Sequence, residues 1–142
     1  MIELVILSKQ FYADYSHCPE VCQKKDRPHI QVQIELDGVI YCVPLRSNIN
    51  HPHVFWTDRT NKCGLDFSKT VIVMDARRYV DRSKKPTIRS QEHNALRGRE
   101  YIIKKSLIKY IALYKDAKKN THIPRNQMLV QYSTLQYFEE YI

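Results

Sequence analysis

The run "HIQVQIELDGVIYCVPL", residues 29–45, constrains the fold more than any other part of the chain. Ile30, Val32, Ile34 and Leu36 alternate with Gln31, Gln33 and Glu35, the period of a half-buried strand. Asp37–Gly38 follows, the strongest short hairpin signal, because both residues accept positive φ. Val39 to Val43 is predicted to return alongside and to stop at Pro44. An antiparallel hairpin is therefore expected over 29–43. Its pairing about Asp37–Gly38 puts residues 28–32 opposite 43–47, with His29 and Arg27 beside Arg46 and Ser47.

Other segments extend this start. Residues 2–7, "IELVIL", read as a strand, and 9–28 read as irregular. "HVFWTD" and "KTVIVMD" predict two more strands, separated by "RTNKCGLDFS", and 77–90 is a basic loop. From about Ser90 the period changes. Leu96, Ile103, Leu107, Tyr110, Ile111 and Tyr114 recur every three to four residues, the stripe of an amphipathic helix, with lysines mostly off it. Gly98 weakens the case for an unbroken helix. "KKNTHIPRNQ" ends it, and Ser133 with Gln136 suggests a capping box for a short C-terminal helix that buries Leu135, Phe138 and Ile142. Strands first, helices later, and hairpin connections predict an α+β fold: a small twisted antiparallel sheet or half-barrel with added helices, including a long basic helix and a short C-terminal one. The length, 142 residues, fits a single domain over 1–142.

The charge is unevenly placed. Residues 77–125 carry 15 Lys/Arg against 4 Asp/Glu, whereas residues 1–76 carry 8 against 9. One basic block on an otherwise balanced chain is the footprint of a polyanion partner, nucleic acid before an acidic protein. No apolar run is long enough to cross a bilayer and no signal peptide is legible, so a cytoplasmic location is expected, with the four cysteines as thiols. "HCPEVC" with His29 offers Cys/His ligands for zinc, but no second pair follows at the usual spacing. No cofactor is expected: the chain has neither a P-loop nor a Gly-rich dinucleotide motif, and Asp58, Asp66 and Asp75 are scattered in sequence.

The loop after the hairpin holds the densest chemistry. Arg46, Ser47, Asn48, Asn50, His51 and His53 fall within nine residues of Pro44, where a plain turn needs only Gly, Pro or Asn. RNA can be cut by its own 2′-hydroxyl if a protein removes that proton, stabilises the phosphate and protonates the departing oxygen. His, Arg and Ser supply those functions without a metal. Each residue also has an ordinary reading as a strand end, surface cation or turn hydroxyl; their clustering points to a site.

"RPHIQVQIELDGVIYCVPLRSNINH", "GLDFSKTVIVMD" and "IRSQEHNALRGREYIIKK" resemble the ToxN/AbiQ-like toxins of type III toxin–antitoxin systems, most closely the TenpN branch. The resemblance covers roughly residues 1–120. It implies a core like that of the MazF/Kid toxins and a metal-independent endoribonuclease that leaves a 2′,3′-cyclic phosphate. It also implies inhibition by a pseudoknot RNA antitoxin that the toxin itself cuts from a repeated precursor. The partners would then be that antitoxin, in a cyclic toxin–RNA assembly, and cellular or phage RNA, with a role in phage defence. Ser47 matches the family's loop serine, Arg46 replaces a threonine, His29 stands where a lysine is usual, and the loop lysine falls on Ile49. The catalytic set is then Arg46 and Ser47 on the phosphate, with His29 and His51 for protons; which is base and which acid stays open. Lys25, Arg27, Asn48, Arg77, Arg78, Lys84, Lys85, Arg97, Lys104, Lys105 and Lys109 are expected to bind RNA. The alternatives are a non-catalytic RNA- or DNA-binding module, which would share the basic third, and a protein-interaction domain for an acidic partner.

Overall fold

The computed structural model describes residues 2–21 and 29–142. Lys25 and Arg27, two of the expected RNA-binding residues, lie outside the described residues, as does Cys22. Among those described, the elements are β1 (Glu3–Ile6), α1 (Lys9–Asp14), β2 (Ile30–Leu36), β3 (Val39–Arg46), β4 (Val54–Asp58), β5 (Cys63–Asp66), β6 (Val71–Val73), α2 (Ala76–Tyr79), α3 (Ser90–Leu96), α4 (Glu100–Lys119) and α5 (Pro124–Tyr132). The fold is α+β. The strands pair antiparallel throughout, in the open order β1-β2-β3-β5-β4 with β6 also on β3.

The hairpin forms as its sequence dictates. Asp37 and Gly38 take φ of 50° and 80°, and Leu36 pairs Val39 while Gln31 pairs Pro44. One boundary differs. β3 does not stop at Pro44 but runs through it to Arg46. Its first half pairs β6, Ile40 to Cys42 against Val73 to Val71, and its end pairs β5, Leu45 and Arg46 against Leu65 and Gly64. β5 and β6 are thus one strand line interrupted by a 3-10 turn at Phe67–Lys69. A proline inside a sheet brings no N–H to the ladder and belongs at an irregularity. Here the neighbouring strand breaks beside Pro44.

Other boundaries shift for local reasons. Residues 9–14, expected to be irregular, form α1 because Ser8 caps it by accepting from the Phe11 amide. The separator "RTNKCGLDFS" contains β5, whose residues are buried on both faces and so show no alternation. α2 occupies the start of the basic loop, with Asp75 as its N-cap. Gly98, at φ 71°, divides the expected long helix into α3 and α4. α4 buries Ile103, Leu107, Tyr110 and Tyr114. The segment "KKNTHIPRNQ" ends α4 at Lys119, as expected, and then opens a further helix, α5, led by Pro124 in its first turn. The C-terminus forms 3-10 turns rather than an α-helix. Ser133 caps the first of them, while Gln136 turns its amide back to carbonyls of residues 130, 131 and 133. Leu135 and Phe138 are buried as expected, whereas Ile142 is only partly buried against the core.

One apolar cluster joins the sheet to α1, α4 and the C-terminal turns; Phe11, Val43, Leu65, Ile72, Leu107 and Phe138 are among its fully enclosed members. Two buried polar links fasten the C-terminus: Tyr110 donates to Ser133 Oγ at 2.8 Å, and Thr134 Oγ1 donates to the Thr70 and Ser68 carbonyls. Among the described residues, no helix is long and apolar enough to cross a membrane.

Gly64 is required by close approach. A Cβ there would lie 2.4 Å from the Phe55 carbonyl oxygen and 3.0 Å from the Trp56 Cα, both backbone atoms of β4. Gly64→Ala should therefore push β4 from β5 and lower stability by about 1–3 kcal/mol in urea unfolding, the usual cost of overpacking. An unchanged midpoint would show that the two strands separate freely.

Candidate functional site

The break in the β5–β6 line sets the chemistry. Asp66, the last residue of β5, turns its carboxylate into the gap, with its side chain wholly buried. It caps the 3-10 turn: Oδ1 accepts from the Ser68 amide at 3.0 Å and from Ser68 Oγ at 2.6 Å. Oδ1 also lies 3.0 Å from His51 Nε2, and Oδ2 accepts from Arg46 Nη1 at 2.5 Å. A buried carboxylate is costly unless its lone pairs are met. Here four donors meet them. Burial pushes the Asp66 carboxyl upward, but hydrogen bonds from His51, Ser68 and Arg46 outweigh it and leave the pKa below its ordinary value.

These contacts fix the His51 tautomer. Its Nδ1 accepts from the His53 amide at 3.1 Å, so the ring proton sits on Nε2. That N–H points at Asp66 Oδ1 and Ser68 Oγ, the latter 3.1 Å away with its own proton already given to Asp66. Both ring nitrogens of His51 are thus engaged. His53 is half-buried, its ring 5.6 Å from His51 and 5.4 Å from Tyr110. Burial lowers its pKa, the neighbouring His51 adds to this, and Asp66 opposes it.

On the hairpin side, His29 Nδ1 lies 3.0 Å from the Leu45 carbonyl. A carbonyl only accepts, so Nδ1 carries a proton, and in the neutral ring the basic lone pair is on Nε2. The register, Gln31 on Pro44, carries His29 to the strand position of Arg46, as the sequence predicted. The Arg46 side chain is 29% exposed and retains donors beyond the one given to Asp66. Ser47 and Asn48 form the exposed loop beyond it, with Asn48 at φ 57°. Ile49, where the resemblance puts a lysine, is instead a buried plug whose amide donates to the Lys62 carbonyl at 3.1 Å. His29, Arg46, Ser47 and His51 therefore gather at one end of β3. Asp66 and Ser68 join them unforeseen. Sequence spacing scatters the aspartates, and only the pairing of β5 with β3 brings Asp66 to Arg46.

The expected RNA-binding cations divide into groups. Arg77 and Arg78 on α2, with Lys84 and Lys85 in the next loop, lie along the β1 side of the sheet, two strands from β3. Arg78 is committed to Asp14, Nε to Oδ2 at 3.0 Å. Tyr79, then Arg78 and Gln10, hold the Asp14 carboxyl down to about 2. Arg97 is exposed beside Gly98. On α4, Lys104 sits 3.6 Å from Glu100. Lys109 is five residues on, about 140° around the helix, so the two do not share a face. Lys105 stacks over Tyr101 at 5.2 Å. Of these α4 lysines it is Lys109 that faces His53.

Cys18, Cys42 and Cys63 are buried free thiols, and among the described residues no three His, Cys, Asp or Glu side chains are grouped to hold a metal ion. Comparison with family models, curated proteins and solved structures finds no match to this chain.

Because the folded pKa values of Asp66 and Asp14 are depressed, their stabilisation is full above the unfolded value of about 4 and is lost as pH falls through the folded values. For Asp14 that window runs down to about 2. The urea midpoint should therefore fall below about pH 4. Asp66→Asn should lower the midpoint at pH 7 and flatten the fall in acid. Parallel curves for the variant and the native chain would mean that Asp66 is not held as described.

Proposed function

We propose that this chain is a metal-independent endoribonuclease toxin of the type III class, working in the cytoplasm on cellular or phage RNA and held inactive by a repeat-derived pseudoknot RNA antitoxin in a cyclic assembly. The observation that carries the reading is the placing of His29 beside an Arg46 whose guanidinium is fixed by a buried carboxylate. The resemblance of the hairpin and its loop to the ToxN/AbiQ-like family supports the same reading, as does the basic third of the chain.

The reaction follows from the donors available. The remaining donors of Arg46, with the Ser47 hydroxyl, hold the non-bridging oxygens of the scissile phosphate and favour the charge that builds there. His29 Nε2 takes the proton of the 2′-hydroxyl as that oxygen attacks phosphorus. The bond to the 5′ oxygen breaks, and a 2′,3′-cyclic phosphate remains. To donate a proton, His51 must first be protonated on Nδ1, which forfeits its bond from the His53 amide. It therefore acts as a strut for the loop, and the departing oxygen takes its proton from solvent at the exposed 47–48 turn. Asp66 is a positioning residue. Its Oδ2 aims Arg46 while its Oδ1 holds His51 and Ser68.

Purified protein should cut single-stranded RNA in EDTA and leave cyclic phosphate ends. RNA that is bound but never cut would favour a non-catalytic binding module. His29→Ala should remove most of the rate, and the acidic limb of the native pH profile should be missing from the residual activity. Ser47→Ala should fold normally, lose toxicity and still bind antitoxin RNA. Asp66→Asn discriminates further. Its amide oxygen can replace Oδ1 toward His51 and Ser68, but its NH2 then faces the Arg46 donors. The variant should raise KM or lower kcat by about tenfold or more, as expected when a charged hydrogen bond of about 1.5–3 kcal/mol is lost. Asp66→Glu should restore little, because the gap is filled. Native activity in Asp66→Asn would separate Arg46 from the phosphate.

A further inference from the structure

Two hollows meet behind the 51–53 loop. The larger, about 740 Å³, is lined by His51, Ser68, Tyr110 and Leu113 and by Arg125, Asn126 and Tyr132 of α5. The smaller, about 220 Å³, shares His53, Tyr110 and Leu113 with it and carries Lys109 on its wall. Together they form one trough between the loop, α4 and α5. It begins at the residues that Asp66 holds.

The lining is not that of a collapsed core. Tyr132, Met128 and Leu113 keep 51%, 59% and 40% of their surface exposed. Lys109 and Arg125 form no ion pair among the described residues, although cations elsewhere on the chain, such as Arg78 and Lys118, find carboxylates. Asn126 gives its amide to the Asn120 carbonyl at 3.0 Å, which orients its side chain within the wall. Asp116 is the one acidic group among the lining residues, and Asn120 donates to its carbonyl at 3.0 Å. Flat apolar surface, amides of fixed orientation and cations without a carboxylate partner among the described residues are what a nucleotide in a single strand requires. The base stacks, its edge meets the amides, and the backbone meets the cations.

We propose that this trough seats the nucleotide adjoining the scissile phosphate, and so sets which RNA sequence is cut. The inference rests on the reading of the site as an RNA-cutting one. Tyr132 and His53 contact the base, Asn126 reads its edge, and Lys109 and Arg125 hold the flanking phosphates. A volume of this order falls in the range of small-ligand sites, about 300–1,000 Å³.

The test uses the full chain, labelled with ¹⁵N, and four dinucleotides, each ending in a 3′-phosphate, that differ in the second base and carry a 2′-O-methyl group on the first nucleotide, so that none can be cut. Backbone amide signals of 53–54 and 125–132 and the side-chain amide of Asn126 should shift, and affinities should differ about threefold or more between bases. Arg125→Ala should weaken all four alike, because a phosphate contact carries no sequence information. Tyr132→Ala, at a half-exposed position that leaves the core intact, should narrow the differences and broaden the cut sites in a random RNA pool. Still signals in the trough, or an unchanged cut-site preference in Tyr132→Ala, would overturn the inference while leaving RNA cleavage standing. A chain that cuts no RNA would overturn the reading of the site, and the dinucleotide shifts would still decide whether the trough takes nucleotides.

Discussion

One buried carboxylate organises the working end of this molecule. Asp66 has no exposed side-chain surface, yet it remains ionised because four donors surround it: the Arg46 guanidinium, His51, and the amide and hydroxyl of Ser68. Removing all such partners from a buried charge would cost several kcal/mol, so the groups are bound to one another's positions. The carboxylate can occupy that place because the strand line opposite β3 breaks beside Pro44, which brings no N–H to the ladder. A backbone irregularity and a side-chain network thus form one unit. The irregularity opens the gap, and the network fills it.

From this unit the rest of the site is placed. Arg46 is tied to Asp66 through one nitrogen and, partly exposed, keeps spare donors. His51 is held in one tautomer, which lays the following Pro52 and His53 against Tyr110 of α4. His29 reaches the Leu45 carbonyl, one residue from Arg46. The cations gather differently from what a basic helix suggests. Lys104 and Arg78 have carboxylate partners, whereas Lys109 and Arg125, on the walls of the trough, form no ion pair among the described residues. Pairing, and not position in the sequence, separates cations that hold the fold from those open to a polyanion.

The hairpin, its turn and the nearness of His29 to Arg46 were legible in the sequence, because alternation and Asp37–Gly38 fix a register by themselves. The antiparallel sheet, the core stripe of α4 and the burial of Leu135 and Phe138 were legible for the same reason of periodicity. β5 was not. Its four residues are buried on both faces, and a short run without alternation carries no strand signal. Asp66 was hidden with it, since the pairing that brings it to Arg46 spans 20 residues. The engagement of both His51 nitrogens was equally invisible, as it depends on a carboxylate and a backbone amide whose positions only the folded loop fixes. A strand expected to end at Pro44 ran on because its neighbour, and not the strand itself, absorbed the missing donor.

The most direct measurement is the ¹⁵N spectrum of the His51 ring, in which the two nitrogen shifts report which of them carries the proton. A carboxylate that organises the site requires Nε2 to show as protonated and Nδ1 as an acceptor, with little averaging between them, and it requires that pattern to survive in Asp66→Asn and to collapse in Asp66→Ala. A ring protonated on Nδ1, or one averaging freely between tautomers in the native chain, would contradict the account.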